Sequence, residues 1–231
     1  MMKLLIFDID GTLTFLNGAT RRAFNSAFLK AFHVDAPTTN LKLHGRTDPV
    51  IFQDCFRASG LPGEWDECFA RFRNAYLEAL PDAIALSPGV HLLPGVQDLL
   101  DELVLRSDQA ALALGTGNME PGARVKIGRF GLNKYFPVGG FGDRHCERPE
   151  IVRDAVAASK AFYGHDFRSQ DTWVIGDTPY DIVGGKAIGA RTLGVATGGA
   201  FSRADLVSAQ ADVVFDDLSD TELVLRTFGL D

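Results

Sequence analysis

Two aspartates stand one residue apart, at Asp8 and Asp10, directly after a short apolar run that begins at Lys3. At a strand end both carboxylates can turn into one pocket, where one attacks as a nucleophile and the other exchanges protons. Gly11 follows and lets the backbone turn sharply beside a ligand. A calcium loop is disfavoured because residues 13–16 bring no carboxylate. A plain acidic turn is disfavoured because the pair follows a buried strand. The pattern therefore predicts paired acid chemistry at this turn.

A second pair of carboxylates, Asp177 and Asp181, follows another apolar run. Carboxylates are the ligands that a hard divalent cation prefers, so these two and Asp8 are candidates for one metal site. Taken alone, the Gly-Asp step before Asp181 is equally compatible with a helix cap. The metal interpretation gains weight because both acidic motifs come at the ends of strands.

A third polar motif, Thr116, Gly117 and Asn118, lies between an apolar run and a helical pattern. A hydroxyl group and exposed amides at the start of a helix can bind an anion. A simple N-capping turn is the alternative interpretation.

The elements that must position these residues are short strands and intervening helices. Apolar runs that predict buried strands lie at residues 3–7, 110–114, 172–175, 191–195 and 212–215, with a weaker one near 135–141. Helical patterns lie between them at 96–105, 123–130, 150–162 and 182–188. This alternation predicts an α/β fold with a doubly wound, Rossmann-like parallel sheet that is covered on both faces. Ligands bind such sheets at the carboxyl ends of the strands.

The alternation fails between about residues 20 and 85, where three helical patterns follow one another at 21–32, 48–58 and 64–80. Pro37, Gly60 and Pro81 are expected to separate or end these helices. An all-helical block that interrupts a βα series after its first strand is best interpreted as an inserted cap. We therefore predict a core domain of residues 1–14 and 90–231 and a helical cap domain of residues 15–89.

With these motifs in this order, the chain resembles the haloacid dehalogenase superfamily over essentially its whole length. The resemblance is to the phosphoglycolate-phosphatase-like branch, which has a helical cap after the first strand. It implies that Asp8 forms an aspartyl-phosphate and that Asp10 is the general acid and base. It also implies Mg²⁺ held by the Asp8 carboxylate, the Asp10 carbonyl and Asp177, with Asp181 assisting directly or through water.

The same resemblance implies that Thr116 and the Gly117–Asn118 backbone bind phosphate. The family places a lysine at the start of the helix before its last motif, and here Arg148 stands there. Arginine keeps the positive charge, although its reach and packing differ from those of lysine. Lys126 is the other candidate for this cation, but an exposed helical position is expected for it. If neither Arg148 nor Lys126 reaches the site, less charge is neutralised there and catalysis is expected to be weaker.

A turn at Gly45–Pro49 resembles one in the caps of the phosphoglycolate-phosphatase-like branch. By that resemblance Arg46 would contact the non-reacting end of the substrate. The alternative is an N-capping turn in which Thr47 or Asp48 is the cap and Arg46 is solvated.

Composition excludes some partners. The 231 residues carry 23 Lys and Arg against 30 Asp and Glu, a net charge of −7, which disfavours nucleic acid and anionic membranes as ligands. The three cysteines form no Cys-x-x-Cys pair, and no apolar segment approaches membrane-spanning length, so a cytoplasmic protein is expected. A monomer or homodimer is expected.

The sequence thus predicts an enzyme, a magnesium-dependent phosphatase that hydrolyses a small phosphate monoester, phosphoglycolate- or sugar-phosphate-like, through an aspartyl-phosphate. Its partner is then a small phosphorylated metabolite. A sugar-phosphate mutase of the same family is one alternative, because it uses both aspartates. A catalytically weak relative that binds a metabolite is the other. Dehalogenase chemistry is disfavoured because Asp10 is present.

Overall fold

The computed structural model describes residues 2–38, 41 and 43–230. In chain order its strands are β1 (Lys3–Phe7), β2 (Thr14–Phe15), β3 (His91–Leu92), β4 (Ala110–Thr116), β5 (Val138–Phe141), β6 (Thr172–Gly176), β7 (Arg191–Val195) and β8 (Val213–Phe215). Six of them form a parallel sheet in the order β5-β4-β1-β6-β7-β8. The predicted α/β class and parallel sheet are confirmed.

The described helices are α1 (Ala19–Phe32), α2 (Asp48–Ala58), α3 (Trp65–Ala85), α4 (Val96–Leu105), α5 (Glu120–Gly128), α6 (Arg148–Tyr163), α7 (Pro179–Lys186), α8 (Arg203–Ser208) and α9 (Thr221–Phe228). No helix of the described residues is both long and apolar enough to cross a membrane.

The sheet is covered on both faces, and its central strand β1 is accordingly apolar at every position after Lys3. Leu5 and Phe7 pack into a cluster on one face, and Leu4 and Ile6 pack into a separate cluster on the other. Fully buried strands of a parallel sheet are apolar without alternation, which is why the short apolar runs predicted these strands within a few residues. The weak run near 135–141 yields only β5, and Tyr135 at the start of that run is the C-cap of a 3-10 helix at Leu132–Lys134.

The helices α1, α2 and α3 lie between β2 and β3 and are here called the helical insertion. Most members of one apolar cluster belong to it. Phe52 is fully buried in it, with its ring 4.7 Å from that of Phe72 and 5.6 Å from that of Phe28. The prediction that Pro81 ends the third helix is wrong, because α3 continues to Ala85. Leu80 and Ile84 are buried on either side of the proline, so packing outweighs its helix-breaking tendency.

The chain enters and leaves the helical insertion through a two-stranded antiparallel ribbon of β2 and β3, with Thr14 opposite Leu92 and Phe15 opposite His91. The predicted boundaries, 1–14 and 90–231 for the core and 15–89 for the cap, fall at this ribbon. The division into two domains stays a prediction.

Strand β1 lies in the middle of the sheet, and the chain builds β4 and β5 on one side of it before crossing to β6 on the other. The order of the strands therefore reverses at β1. Loops diverge at such a point and leave a crevice at the carboxyl ends of the central strands. The ends of β1, β4 and β6 consequently surround one space.

Candidate active site

Three buried carboxylates meet at this crevice. Asp8 directly follows β1, and its backbone N–H donates to the carbonyl of Ile175 at 2.9 Å. Asp177 directly follows β6, and Asp181 lies in the first turn of α7. One carboxylate oxygen of each lies within 4.8 Å of the others, and each residue is at most 5% exposed. The structure thus brings together three of the four predicted metal ligands through their side chains.

Burial, and after it mutual repulsion, disfavours the charged forms of Asp8 and Asp177 in this cluster. Burial raises the pKa of Asp8 to about 7, with Arg148 lowering it and Asp181 and Asp10 raising it further. Burial and the charges of Asp8 and Asp181 hold the pKa of Asp177 well above its usual range. A site that concentrates carboxylates at this cost suits a divalent cation, which offsets their charge.

Asp181 shows how one oxygen of the cluster is left for such a cation. Its Oδ2 accepts hydrogen bonds from the N–H of Thr178 at 3.1 Å and from the Thr178 hydroxyl at 2.8 Å, which fixes the start of α7. Its Oδ1 is buried and accepts no hydrogen bond from the described residues, and Arg148 Nε lies 3.5 Å from it. A buried carboxylate oxygen without a hydrogen bond is costly, and a divalent ion held among the three clustered carboxylates would offset that cost. The residues present therefore fit a hard divalent ion such as Mg²⁺.

Arg148, at the start of α6, places its guanidinium beside the nucleophile candidate. Its Nη1 donates to the carbonyl of Gly115 at 3.0 Å and lies 3.5 Å from Asp8 Oδ1, and its Nε lies 3.5 Å from Asp181 Oδ1. The side chain is buried, and its stem packs against Gly184 of α7, where a Cβ would lie only 2.6 Å from Arg148 Cγ. The arginine that replaces the expected lysine thus reaches the carboxylate cluster.

Asp10 differs from Asp8 in its surroundings. The Asp10 side chain is 40% exposed, whereas that of Asp8 is 7% exposed. Its Oδ2 accepts hydrogen bonds from Lys126 Nζ at 2.6 Å and from Asn118 Nδ2 at 2.8 Å. Gly11 follows with φ +87°, a conformation that side chains disfavour, and so turns the chain between the two aspartates and Asp177. Unequal environments of this kind suit two carboxylates for different tasks.

The prediction of an exposed helical position for Lys126 is wrong. Lys126 is completely buried in α5, on a helical face that it shares with Gly122, Ala123 and Ile127. It is buried because α3 covers part of α5, and Tyr76 of α3 lies in ordinary contact range of Gly122. The sequence signal for this burial is the position of Lys126, four residues after the small residue Gly122 on one face of the helix.

Thr116, Gly117 and Asn118 form the end of β4 and the loop after it. The Thr116 hydroxyl accepts hydrogen bonds from Asn118 Nδ2 at 2.7 Å and from the Asn118 N–H at 3.4 Å. A Cβ at Gly117 would lie 2.5 Å from the carbonyl oxygen of Arg46, so only glycine allows this approach of the helical insertion. The motif is therefore both a candidate phosphate-binding loop and the seat of the insertion.

Asp48, a residue that the sequence suggested only as a possible helix cap, joins the helical insertion to this loop. Its backbone N–H donates to the Gly117 carbonyl at 2.9 Å, and its Oδ2 accepts the Met119 N–H at 2.9 Å. Burial raises the pKa of Asp48 to about 6, although Lys126 and the Met119 N–H oppose the rise. The N-cap of α2 is Thr47, which makes no side-chain capping bond.

Arg46 lines the same cavity, and its side chain is half-buried instead of solvated. Its Nη2 lies 2.7 Å from Asp54 Oδ2. The cavity has a volume of about 190 Å³ and is lined by Asp8, Asp10 and Arg148 on the sheet side and by Arg46 and Asp48 on the insertion side. Its size suits a small molecule.

The fold is a parallel α/β sheet, and the site is a cluster of carboxylates at the carboxyl ends of its central strands. A family model described as haloacid dehalogenase-like hydrolase matches residues 5–195. The chain belongs to this family, which confirms the predicted resemblance and the prediction of an enzyme.

Similar proteins carry several names. The chain is 27% identical to the tyrosine-protein kinase PtkA of Mycobacterium tuberculosis, over 99% of this chain and 73% of that protein. It is 26% identical to the protein named Probable phosphatase IndB of Dickeya dadantii, over 95% and 92% of the two chains. The crystal structure of CbbY from Rhodobacter sphaeroides in complex with phosphate superposes with a TM-score of 0.75, at 24% identity, over 95% and 96% of the two chains. The family and the relative named as a phosphatase agree with the predicted hydrolysis of phosphoric monoesters.

Proposed function

We propose that this protein is a magnesium-dependent phosphatase that hydrolyses a small phosphate monoester, phosphoglycolate- or sugar-phosphate-like, through an aspartyl-phosphate on Asp8. The observation that carries the proposal is the position of the Asp8 carboxylate. It lies at the end of the central strand beside the Arg148 guanidinium and the carboxylates of Asp177 and Asp181, and it lines the cavity. Asp10 stands at the same cavity in a more exposed environment.

In the first half of the reaction an Asp8 carboxylate oxygen attacks the phosphorus atom and the phosphorus–oxygen bond to the leaving group breaks. The departing oxygen takes a proton from Asp10, so a neutral alcohol leaves and the aspartyl-phosphate remains. Arg148 and the donors of the Thr116–Asn118 loop stabilise charge on the transferring phosphoryl group. Positioning and charge stabilisation are the main catalytic tasks in phosphoryl transfer.

In the second half Asp10, now a carboxylate, takes a proton from a water molecule that attacks the phosphorus of the aspartyl-phosphate. The acyl phosphate bond breaks, inorganic phosphate leaves, and Asp8 returns as a carboxylate. Asp10 regains its proton in this step, so the two halves balance. The helical insertion, seated on Gly117 through Asp48, forms one wall of the cavity in which these steps take place.

The Asp8, Asp177 and Asp181 carboxylates and the Asp10 carbonyl would hold Mg²⁺. When bound, the ion supplies positive charge that offsets the buried carboxylates and the phosphoryl oxygens. Arg46 would contact the end of the substrate that does not react. We infer a cytoplasmic location from three free cysteines without a disulfide.

The cavity and one structural neighbour support the proposed ligand class. CbbY has been crystallised with phosphate and with xylulose-1,5-bisphosphate, at 24% identity to this chain. A cavity of about 190 Å³ suits a small phosphorylated acid or sugar.

The test is phosphate release from a panel of small phosphate esters and ATP, with Mg²⁺ or with EDTA, by wild type and Asp8→Asn. Magnesium-dependent release from small esters that is lost in Asp8→Asn is expected. The matched control is Asp66→Asn, an exposed carboxylate in α3 that leaves the site intact.

The other outcomes separate the alternatives. Interconversion of phosphate isomers without net release would indicate a mutase, and preferential phosphate release from ATP would indicate a nucleotide hydrolase instead of a phosphatase of small monoesters. Binding without turnover of any ester would indicate the metabolite-binding alternative. An active Asp8→Asn protein would exclude the nucleophile assignment.

A further inference from the structure

Lys126 is a buried cation whose hydrogen bonds converge on one carboxylate. It is 0% exposed, and its Nζ donates to Asp10 Oδ2 at 2.6 Å and also to Asn118 Oδ1. Asn118 in turn donates from Nδ2 to the same Asp10 oxygen at 2.8 Å. The three side chains close a triangle of hydrogen bonds. Asn118 is further held by the Thr116 hydroxyl, so the triangle is anchored to the end of β4.

Two cations, Arg148 and Lys126, are divided between the two aspartates of the first motif. Arg148 lies against Asp8 and Asp181, whereas Lys126 forms its ion pair with Asp10. They reach the cavity from different helices, α6 and α5. The sequence suggested either Arg148 or Lys126 as the cation of the site, and the structure brings both to it with separate partners.

The geometry leaves one oxygen of Asp10 for chemistry. Both donors bind Oδ2, so the carboxylate is fixed in rotation with Oδ1 turned away from Lys126 and Asn118. An aspartate that is 40% exposed has rotational freedom unless such bonds restrain it. Proton transfer needs the acidic oxygen within hydrogen-bond reach of the departing oxygen, and a misplacement of about 1 Å costs about 10²-fold in rate.

We propose that Lys126 is a positioning residue that, with Asn118, clamps Asp10 Oδ2 and thereby aims Oδ1 at the oxygen that departs and then at the attacking water. The inference rests on the proposed function, because it takes Asp10 as the acid and base. Lys126 acts through Asp10 and does not bind the phosphoryl group itself. Arg148 keeps that contact with Asp8 and the transferring group.

The experiment is a double-mutant cycle of Lys126→Met and Asp10→Asn, measured as kcat and KM on the best ester from the panel. Lys126→Met should lower kcat by about ten- to a hundredfold with KM changed less than about threefold, because the loss appears in the transition state. In the Asp10→Asn background Lys126→Met should lower kcat hardly any further, since the residue that Lys126 positions is already disabled. The matched control is Lys160→Met, an exposed lysine of α6.

Three results would overturn the inference. Multiplicative losses in the double variant, or a loss confined to KM, would mean that Lys126 binds substrate independently of Asp10. A Lys126→Met enzyme with wild-type kcat would remove the role. If Lys126→Met does not fold in a thermal melt, the cycle is repeated with Lys126→Gln, which can still hydrogen-bond Asn118. Failure of both variants to fold would make the role structural and refute the proposal.

Failure of the inference and of the proposed function are distinguishable. If wild type releases phosphate and Asp8→Asn does not, the function stands whatever Lys126 does. If wild type is inactive on every ester, the function fails first.

Discussion

Replacement of Asp48 by asparagine should change how the stability of the protein depends on pH. Asp48 is buried where the helical insertion meets the loop after β4, and burial raises the pKa of its carboxyl group from 3.8 to about 6. Lys126 and the Met119 N–H lower this pKa, and Asp10 and Asp143 raise it. A carboxyl group with a higher pKa in the folded chain binds its proton more tightly there, so the unfolding free energy falls as pH rises through this window.

The size of the effect follows from the two pKa values. One pH unit of pKa change corresponds to about 1.4 kcal/mol, so a rise from 3.8 to about 6 makes the ionised Asp48 cost about 3 kcal/mol above pH 7 relative to pH below 4. Asparagine has the shape of the neutral acid and can still accept the Met119 N–H through its Oδ1. It carries no such pH-dependent cost. The variant should therefore gain on wild type as pH rises.

The assay is urea unfolding of wild type and Asp48→Asn from pH 4 to pH 8, without metal and with EDTA present. The difference in unfolding free energy, variant minus wild type, should rise by about 2 kcal/mol between pH 4 and pH 7 and then level off. The buried carboxylates of Asp8 and Asp177 also titrate, but they are common to both chains and cancel in the difference. Asp66→Asn, an exposed replacement, should show a flat difference.

A pH-independent difference for Asp48→Asn would refute the reasoning, whatever its size. A difference that falls with rising pH would show that the ionised carboxylate stabilises the seat of the insertion, which is the opposite sign.

Three further replacements test the metal site, the seat of the insertion and its apolar core. Mg²⁺ at 100 times its dissociation constant should raise the unfolding free energy of wild type by about 2.7 kcal/mol, and Asp177→Asn should lose most of this gain in the same urea titration. Gly117→Ala should cost about 1–3 kcal/mol because its Cβ meets the Arg46 carbonyl, whereas Gly122→Ala, with its nearest neighbour at 3.4 Å, should not destabilise. Phe52→Ala should cost about 3–5 kcal/mol by urea unfolding, and a cost below about 1 kcal/mol would contradict the central place of that ring.

Residues at strand ends were predictable because their positions follow from local patterns. A short apolar run identifies a buried parallel strand, and the carboxyl ends of such strands share one edge of the sheet. Those two rules alone predict that Asp8, Thr116 and Asp177 lie together, and all three do line one cavity. Arg148 needed the resemblance to a family as well, since nothing local distinguishes it from an ordinary residue in the first turn of a helix.

The partners that Lys126 and Asp48 meet in the folded chain were not predictable in the same way. Each is buried by a contact between segments far apart in sequence, Lys126 beside Asp10 and Asp48 beside Met119, and no local period records that contact. Helix α9 differs from Lys126 and Asp48, because the sequence signals that predict it are local. Asp220 caps it by accepting the Leu223 N–H at 3.0 Å, and Val224 and Phe228 are buried at helical spacing, so both a capping residue and an apolar period are present in the sequence.

The apolar cluster of the helical insertion has a consequence for how this protein can change over generations. Most of its members lie on α1–α3, and the buried Met119 joins it to the loop after β4. Substitutions among its aromatic residues would act first on the wall of the cavity that the insertion forms. The carboxylates and cations of the site stand at strand ends and on α5, α6 and α7, so ligand preference can change at positions that leave the reacting groups in place.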